Sequence, residues 1–156
     1  MHQFRCIPLD TGFAEKTRKS AIDDFGYPIT RRVEAGKTYP CRHCLTEAPA
    51  DNGMLLLSYQ VPKPRSVYGH PTAIFMCGTE CSQFTAENTI PDIVRNRLVV
   101  LRSYDEDGMA IYDANELVEG KECDGTLQML LGRKDVAHVN VHTARAGCML
   151  CRIERV

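Results

Sequence analysis

Hydrophobic positions along this chain mostly alternate and cluster in short runs, and rarely recur at helical spacing, so strands dominate the expected elements. His2–Leu9 reads as an opening strand, with Phe4 and Cys6 set against Arg5. Met54–Val61 is apolar enough for a central strand, closed by the Pro62-Lys63-Pro64-Arg65-Ser66 loop, and Thr72–Met76 is a second that delivers Cys77. Leu98–Tyr104 and Met109–Tyr112 flank Asp105-Glu106-Asp107-Gly108, the clearest hairpin signal in the chain. Val136–Thr143 puts Val139 and Val141 on one face and His138, Asn140 and His142 on the other. Ala144–Gly147 turns into a final strand, Cys148–Glu154.

Helical expectations are fewer. A short amphipathic helix is expected around Ala14–Phe25, and helical turns at Ser82–Asn88 and Pro91–Asn96, the latter with Pro91 at its first position. Gly125–Leu131 carries Leu127, Leu130 and Leu131 on one face, with Gly132 as its stop. There is no internal repeat, heptad pattern or low-complexity tract. The expected fold is a single α+β domain over residues 1–156, mostly antiparallel sheet with few short helices.

Composition changes this picture little. Hydrophobic residues make up 44% and charged residues 25% of 156, as in ordinary globular proteins. Net charge is −1, and the two halves carry +3 (ten Lys/Arg, seven Asp/Glu over 1–78) and −4 (nine against thirteen over 79–156). That balance disfavours nucleic acid and anionic membranes as partners, as do the sparse basic pairs Arg31-Arg32 and Arg95-x-Arg97. The longest apolar runs, Met54–Leu57 and Leu98–Leu101, are far short of a membrane span, and the N-terminus lacks signal-peptide character. The expected location is cytoplasmic, where thiols stay reduced, and the remaining partner classes are a small molecule or a protein.

The eight cysteines change it more. Cys41-Arg42-His43-Cys44 and Cys77-Gly78-Thr79-Glu80-Cys81, separated by 32 residues, supply four thiolates. This is the complement of a tetrahedral structural zinc site, which leaves no open position for catalysis. Gly78 gives the chain freedom to turn between Cys77 and Cys81. Two other readings stand beside it: small thiols packed as apolar residues, and a redox dithiol. The redox motif usually opens a helix after a strand, whereas Cys41–Cys44 follows Pro40 in a loop. Cys148 and Cys151 would point to opposite faces of a strand and cannot share a metal without a bend. Cys6 and Cys123 read as packing residues.

These residues resemble a bacterial family known as domain of unknown function 1203. The likeness covers most of the chain. It includes Tyr39-Pro40-Cys41-Arg42-His43-Cys44-Leu45, Leu55-Leu56-Leu57-Ser58-Tyr59, Ile74-Phe75, Cys81, Arg102-Ser103-Tyr104-Asp105 with Gly108, Val141-His142 and Gly147-Cys148. The resemblance implies a histidine in many members where this chain has Cys77, one zinc ligand standing for another. It supports Cys41, Cys44, Cys77 and Cys81 as a set, leaves Cys151 outside the pattern, and carries a fold and a motif but no activity.

Catalytic candidates are His142, Arg102 and Cys148. Arg102 is a strand cation suited to an anionic ligand, or to an ion pair with Asp105 on a solvated face. His142 forms a polar stripe with His138 and Asn140, suited to acid–base chemistry or metal binding, or simply solvent-facing. Arg145, Gly147 and Cys148 follow in the next turn, where a thiol beside an imidazole and a guanidinium would be a nucleophile. Three functions therefore stay open: a zinc-stapled binding or accessory module, an enzyme with its pocket at His142, Arg102 and Cys148, and a thiol/zinc redox sensor.

Overall fold

The computed structural model describes residues 1–156 and is an α+β domain built on antiparallel sheets. The strands are β1 (Phe4–Ile7), β2 (Thr30–Arg32), β3 (Thr38–Pro40), β4 (Glu47–Pro49), β5 (Met54–Tyr59), β6 (Thr72–Cys77), β7 (Leu98–Tyr104), β8 (Glu116–Glu119), β9 (His138–Thr143) and β10 (Met149–Arg155). The helices are α1 (Thr11–Arg18), α2 (Asp92–Arg95) and α3 (Cys123–Leu131). A five-stranded sheet has the order β1-β10-β9-β7-β8, a three-stranded sheet the order β2-β5-β6, and β3-β4 form a ribbon.

Alternation decides the faces of the larger sheet. Val99 and Leu101 of β7, Val139 and Val141 of β9, Ile153 of β10 and Phe4 and Cys6 of β1 point to one side. There they pack with Ile93 and Val94 of α2 and Leu127, Leu130 and Leu131 of α3. The opposite side carries Arg102, Tyr104, His138, Asn140, His142 and Arg152, kept in register by the pairs Arg102↔Asn140, Tyr104↔His138 and Arg152↔Asn140. The predicted polar stripe is therefore present. It faces a cleft toward the smaller sheet and not open solvent, since His138 is buried against Tyr104 with the rings stacked at 5.2 Å.

The smaller lobe has its own core of Leu9, Ala14, Leu55, Leu57, Ile74 and Met76 with Cys41 and Cys77. Several contacts tie the lobes together, among them three from the first cysteine turn and its surroundings. Leu45, next to the first cysteine pair, inserts into the large core. Buried Arg42 donates from Nε to the Met149 carbonyl (2.8 Å) and from Nη1 to the Pro40 carbonyl (2.6 Å). Arg97 pairs with Glu47.

Several elements differ from expectation. The first helix runs Thr11–Arg18 instead of Ala14–Phe25, because Asp10 caps it by accepting from the Phe13 amide at 2.9 Å. It ends early because Asp23 accepts from the amides of Phe25, Tyr27 and Ser58 and so organises a loop. Ser82–Asn88 is not a helical turn. It is irregular, with a single bridge between Glu87 and Arg5, Phe84 donating to the His43 carbonyl and Asn88 to the Phe4 carbonyl. The Asp105–Gly108 turn forms, with Gly108 at φ 77° and a Cβ there 2.7 Å from Pro64 Cγ. However, Met109–Tyr112 contributes only one bridge, Tyr104↔Ala110, and the strand pairing with β7 is the unforeseen β8. Cys148 lies just before the last strand, and a bulge between Met149 and Cys151 resets the register.

Candidate metal centre and adjoining cleft

Two turns build the candidate metal centre. Cys41 directly follows β3 and forms a parallel bridge with Phe75, the Cys41 amide donates to the Thr46 carbonyl, and the Leu45 amide returns to the Cys41 carbonyl at 3.0 Å. Closing so tight a turn puts Leu45 at φ 52°, a left-handed conformation that costs a non-glycine residue about 1–2 kcal/mol. Full burial of the Leu45 side chain offsets that cost. The second turn follows β6, where the Gly78 amide donates to the Gly53 carbonyl.

The sulfurs of Cys41, Cys44, Cys77 and Cys81 all lie within 4.8 Å of one another. A tetrahedron with 2.3 Å metal–sulfur bonds has edges of about 3.8 Å, so the cluster can hold a metal ion with only a small contraction. Donors surround it. Cys41 Sγ accepts from the amides of His43 (3.4 Å) and Cys77 (3.3 Å), and Thr46 Oγ1 lies 3.1 Å from Cys44 Sγ. Cys81 Sγ meets Arg18 Nη2 at 3.4 Å and His43 Nδ1 at 3.2 Å, while His43 Nε2 is 3.1 Å from Thr11 Oγ1. A thiolate at Cys81 accepts a hydrogen bond from His43 Nδ1–H, and the Thr11 hydroxyl then donates to Nε2.

Thiols this close cannot share charge equally. The Cys44 sulfur pushes Cys41 up, but Cys77 and Cys81 outweigh it and hold Cys41 down at about 6. Cys44, bonded by Cys41 and its neighbours, falls far below the ordinary thiol range. Cys77 and Cys81 are driven well above it, in both cases chiefly by Cys41. A divalent cation resolves the conflict, because it favours all four thiolates together.

His43, Arg18, Arg42 and Thr46 escaped the sequence reading as functional partners. Arg42 and His43 stood inside the motif, and their near-complete burial in a two-residue spacer is the signal that only the fold supplies.

Of the catalytic candidates, His142 and Arg102 line one cleft of about 100 Å³ between the two sheets, with Tyr59 and Thr72 opposite. Cys148 is not in that wall. It lines a separate, more apolar chamber with Arg42, Thr143 and Arg145. Asp105 is not the partner of Arg102, because its Oδ1 accepts from the Asp107 and Met109 amides at 3.0 and 2.8 Å within its own turn. The Arg102 guanidinium enters no ion pair within the chain.

His142 Nδ1 lies 2.9 Å from the Gly147 carbonyl, which fixes it as the protonated nitrogen; Gly147 holds its position in the turn at φ 74°. Nε2 is buried and has no partner. Burial, together with the positive charge of Arg102, His70 and Arg42, outweighs the Gly147 bond and pushes the imidazole down to about 4. Burial likewise takes His138 to about 4, aided by Arg152. Cys151 sits in the large core, raised first by its bond with Cys6 and then by burial, and Cys123 is raised to about 12 by burial. Both behave as packing residues.

A family model described as "Protein of unknown function (DUF1203)" matches residues 38–155, a span that holds all four clustered cysteines and the cleft-lining strands. Neither the curated proteins nor the solved structures gave a match.

Proposed function

Because the chain belongs to the DUF1203 family, whose function is unknown, we propose a role from its site alone: a small binding module stapled by a structural zinc ion at Cys41, Cys44, Cys77 and Cys81. The observation that carries this reading is the convergence of four sulfurs from two distant turns, each sulfur of the first pair already bonded by a backbone amide or a hydroxyl. Four sulfur donors favour zinc or a single iron, and a closed set leaves no site for substrate. The metal is therefore a staple. No helix is long and apolar enough to cross a membrane, and reduced thiols in this arrangement suit a cytoplasmic setting.

The binding role falls to the cleft at His142 and Arg102. An enzyme built on these residues with Cys148 as nucleophile has less support, because Cys148 lines a different chamber. A redox-sensing reading draws on one observation, the partial exposure of Cys44 and Cys81, which lets an oxidant reach two of the four sulfurs.

Metal and thiol counts on protein purified without added metal test the proposal. One zinc per chain, with four thiols protected until a chelator is added, is the expected result. No metal and eight freely reactive thiols would overturn it, and iron would keep the staple while changing its identity. Zinc release with reversible disulfide formation under mild peroxide would move the redox reading ahead.

A further inference from the structure

The cleft between the two sheets differs from ordinary polar surface in its charge. Its wall includes Arg102, Arg152, His70, His138 and His142 and not one aspartate or glutamate. Arg152 is committed in part, donating to the Lys63 carbonyl and to Asn140 Oδ1 and lying near Glu154. Arg102 is uncommitted. His142 lines the same cleft, and its Nε2 is buried with no partner in the chain, an arrangement that costs free energy unless a ligand atom, reaching it with a small side-chain shift, completes it.

We propose that this cleft binds the oxyanion group of a small organic acid or phosphate ester, its charge against Arg102 and one of its oxygens sharing a proton with Nε2 of His142. The two contacts ask for one ligand with both features. Arg102 requires negative charge, and its planar guanidinium can meet two oxygens of a carboxylate or phosphate. Nε2, with Nδ1 already donating to Gly147, holds a lone pair, so the ligand oxygen must bring a proton or the complex must take one up. A hydrogen phosphate group or a carboxylate bound with proton uptake satisfies this; a metal cation, repelled by two guanidinium groups, does not. The cleft volume of about 100 Å³ admits one such group and leaves the rest of the molecule at the open side.

This inference rests on the binding-module reading and is independent of the metal. The test is a titration of the full-length, metal-loaded protein with inorganic phosphate and, separately, with acetate, followed by the ring nitrogen resonances of ¹⁵N-labelled histidine. The expected result is a saturable shift of the His142 Nε2 resonance toward its protonated position. Arg102→Gln, an exposed site, should weaken that binding by about tenfold or more, as expected for loss of a charge-assisted bond, without changing metal content or melting temperature. Response to phosphate alone assigns the phosphate class, and response to acetate alone the carboxylate class. No saturable shift with either, or an equal response in Arg102→Gln, overturns the proposal. Metal content measured on the same samples keeps its failure distinct from failure of the zinc staple.

Discussion

The two lobes of this molecule reach stability by different means. The five-stranded sheet buries a cluster of 20 residues dominated by leucine, isoleucine and valine, into which helices α2 and α3 pack. The smaller lobe buries 11, among them three alanines and two of the clustered cysteines. Remove the cysteines from that list and nine residues remain to order two sheets and a helix. A small core of this kind commonly needs a staple, and the four sulfurs lie where one would act. The four-cysteine cluster thus belongs to the lobe with the weaker core, which supports the proposed staple over chemistry at a metal.

Metal removal breaks the comparison most severely. Chelation, or Cys77→Ser, should lower the melting temperature by at least about 15 °C, since metal binding at such a site is folding free energy. Hydrogen exchange should then lose protection in β5 and β6 while β7, β9 and β10 keep theirs. Equal loss in both sheets would show that the lobes stand or fall together. Leu127→Ala, fully buried beneath the large sheet, is the converse experiment. It should cost about 2–5 kcal/mol, a fall of roughly 6–15 °C, with metal content unchanged. Arg18→Ala acts on the staple from outside. Losing its bonds to Cys81 Sγ and the Cys77 carbonyl should hasten metal loss to a competing chelator roughly tenfold while barely moving the melting point of metal-loaded protein.

The same contrast explains what the sequence could tell. The convergence of the four cysteines was legible because each pair is local and cysteine has few other uses in such spacing. The polar stripe of β9 was legible because alternation assigns faces. Its meaning was not: whether a stripe faces solvent or a cleft depends on the other lobe, and Arg152, Tyr68 and His70 arrive there from distant segments. The short strands β2, β3, β4 and β8 escaped because three or four residues, many polar, carry no period of their own and are ordered by their partners. The first helix was displaced because its start rests on one capping aspartate, Asp10, and the segment past Lys19 is organised as a loop around Asp23.

The smallest expected effect belongs to the cleft and follows from His142. Its ordinary pKa is 6.5, and in the folded protein burial beside Arg102 lowers it to about 4. The unfolded chain therefore binds a proton between these values that the folded chain refuses, so the native state is fully favoured above pH 6.5 and loses ground as pH falls toward 4. With solvent screening at the open side of the cleft, the loss at pH 5 is on the order of 1 kcal/mol, or about 2–4 °C. Other groups, the clustered thiols included, also titrate in acid, so the informative quantity is a difference. His142→Asn can still donate to the Gly147 carbonyl but cannot titrate, and its melting temperature should fall less than that of the native chain between pH 7 and pH 5. A phosphate-saturated native protein should approach the variant, because a bound anion favours the protonated imidazole that the empty cleft resists. Parallel pH profiles for native and variant protein would show that burial beside Arg102 does not depress His142 and would remove the basis of this prediction.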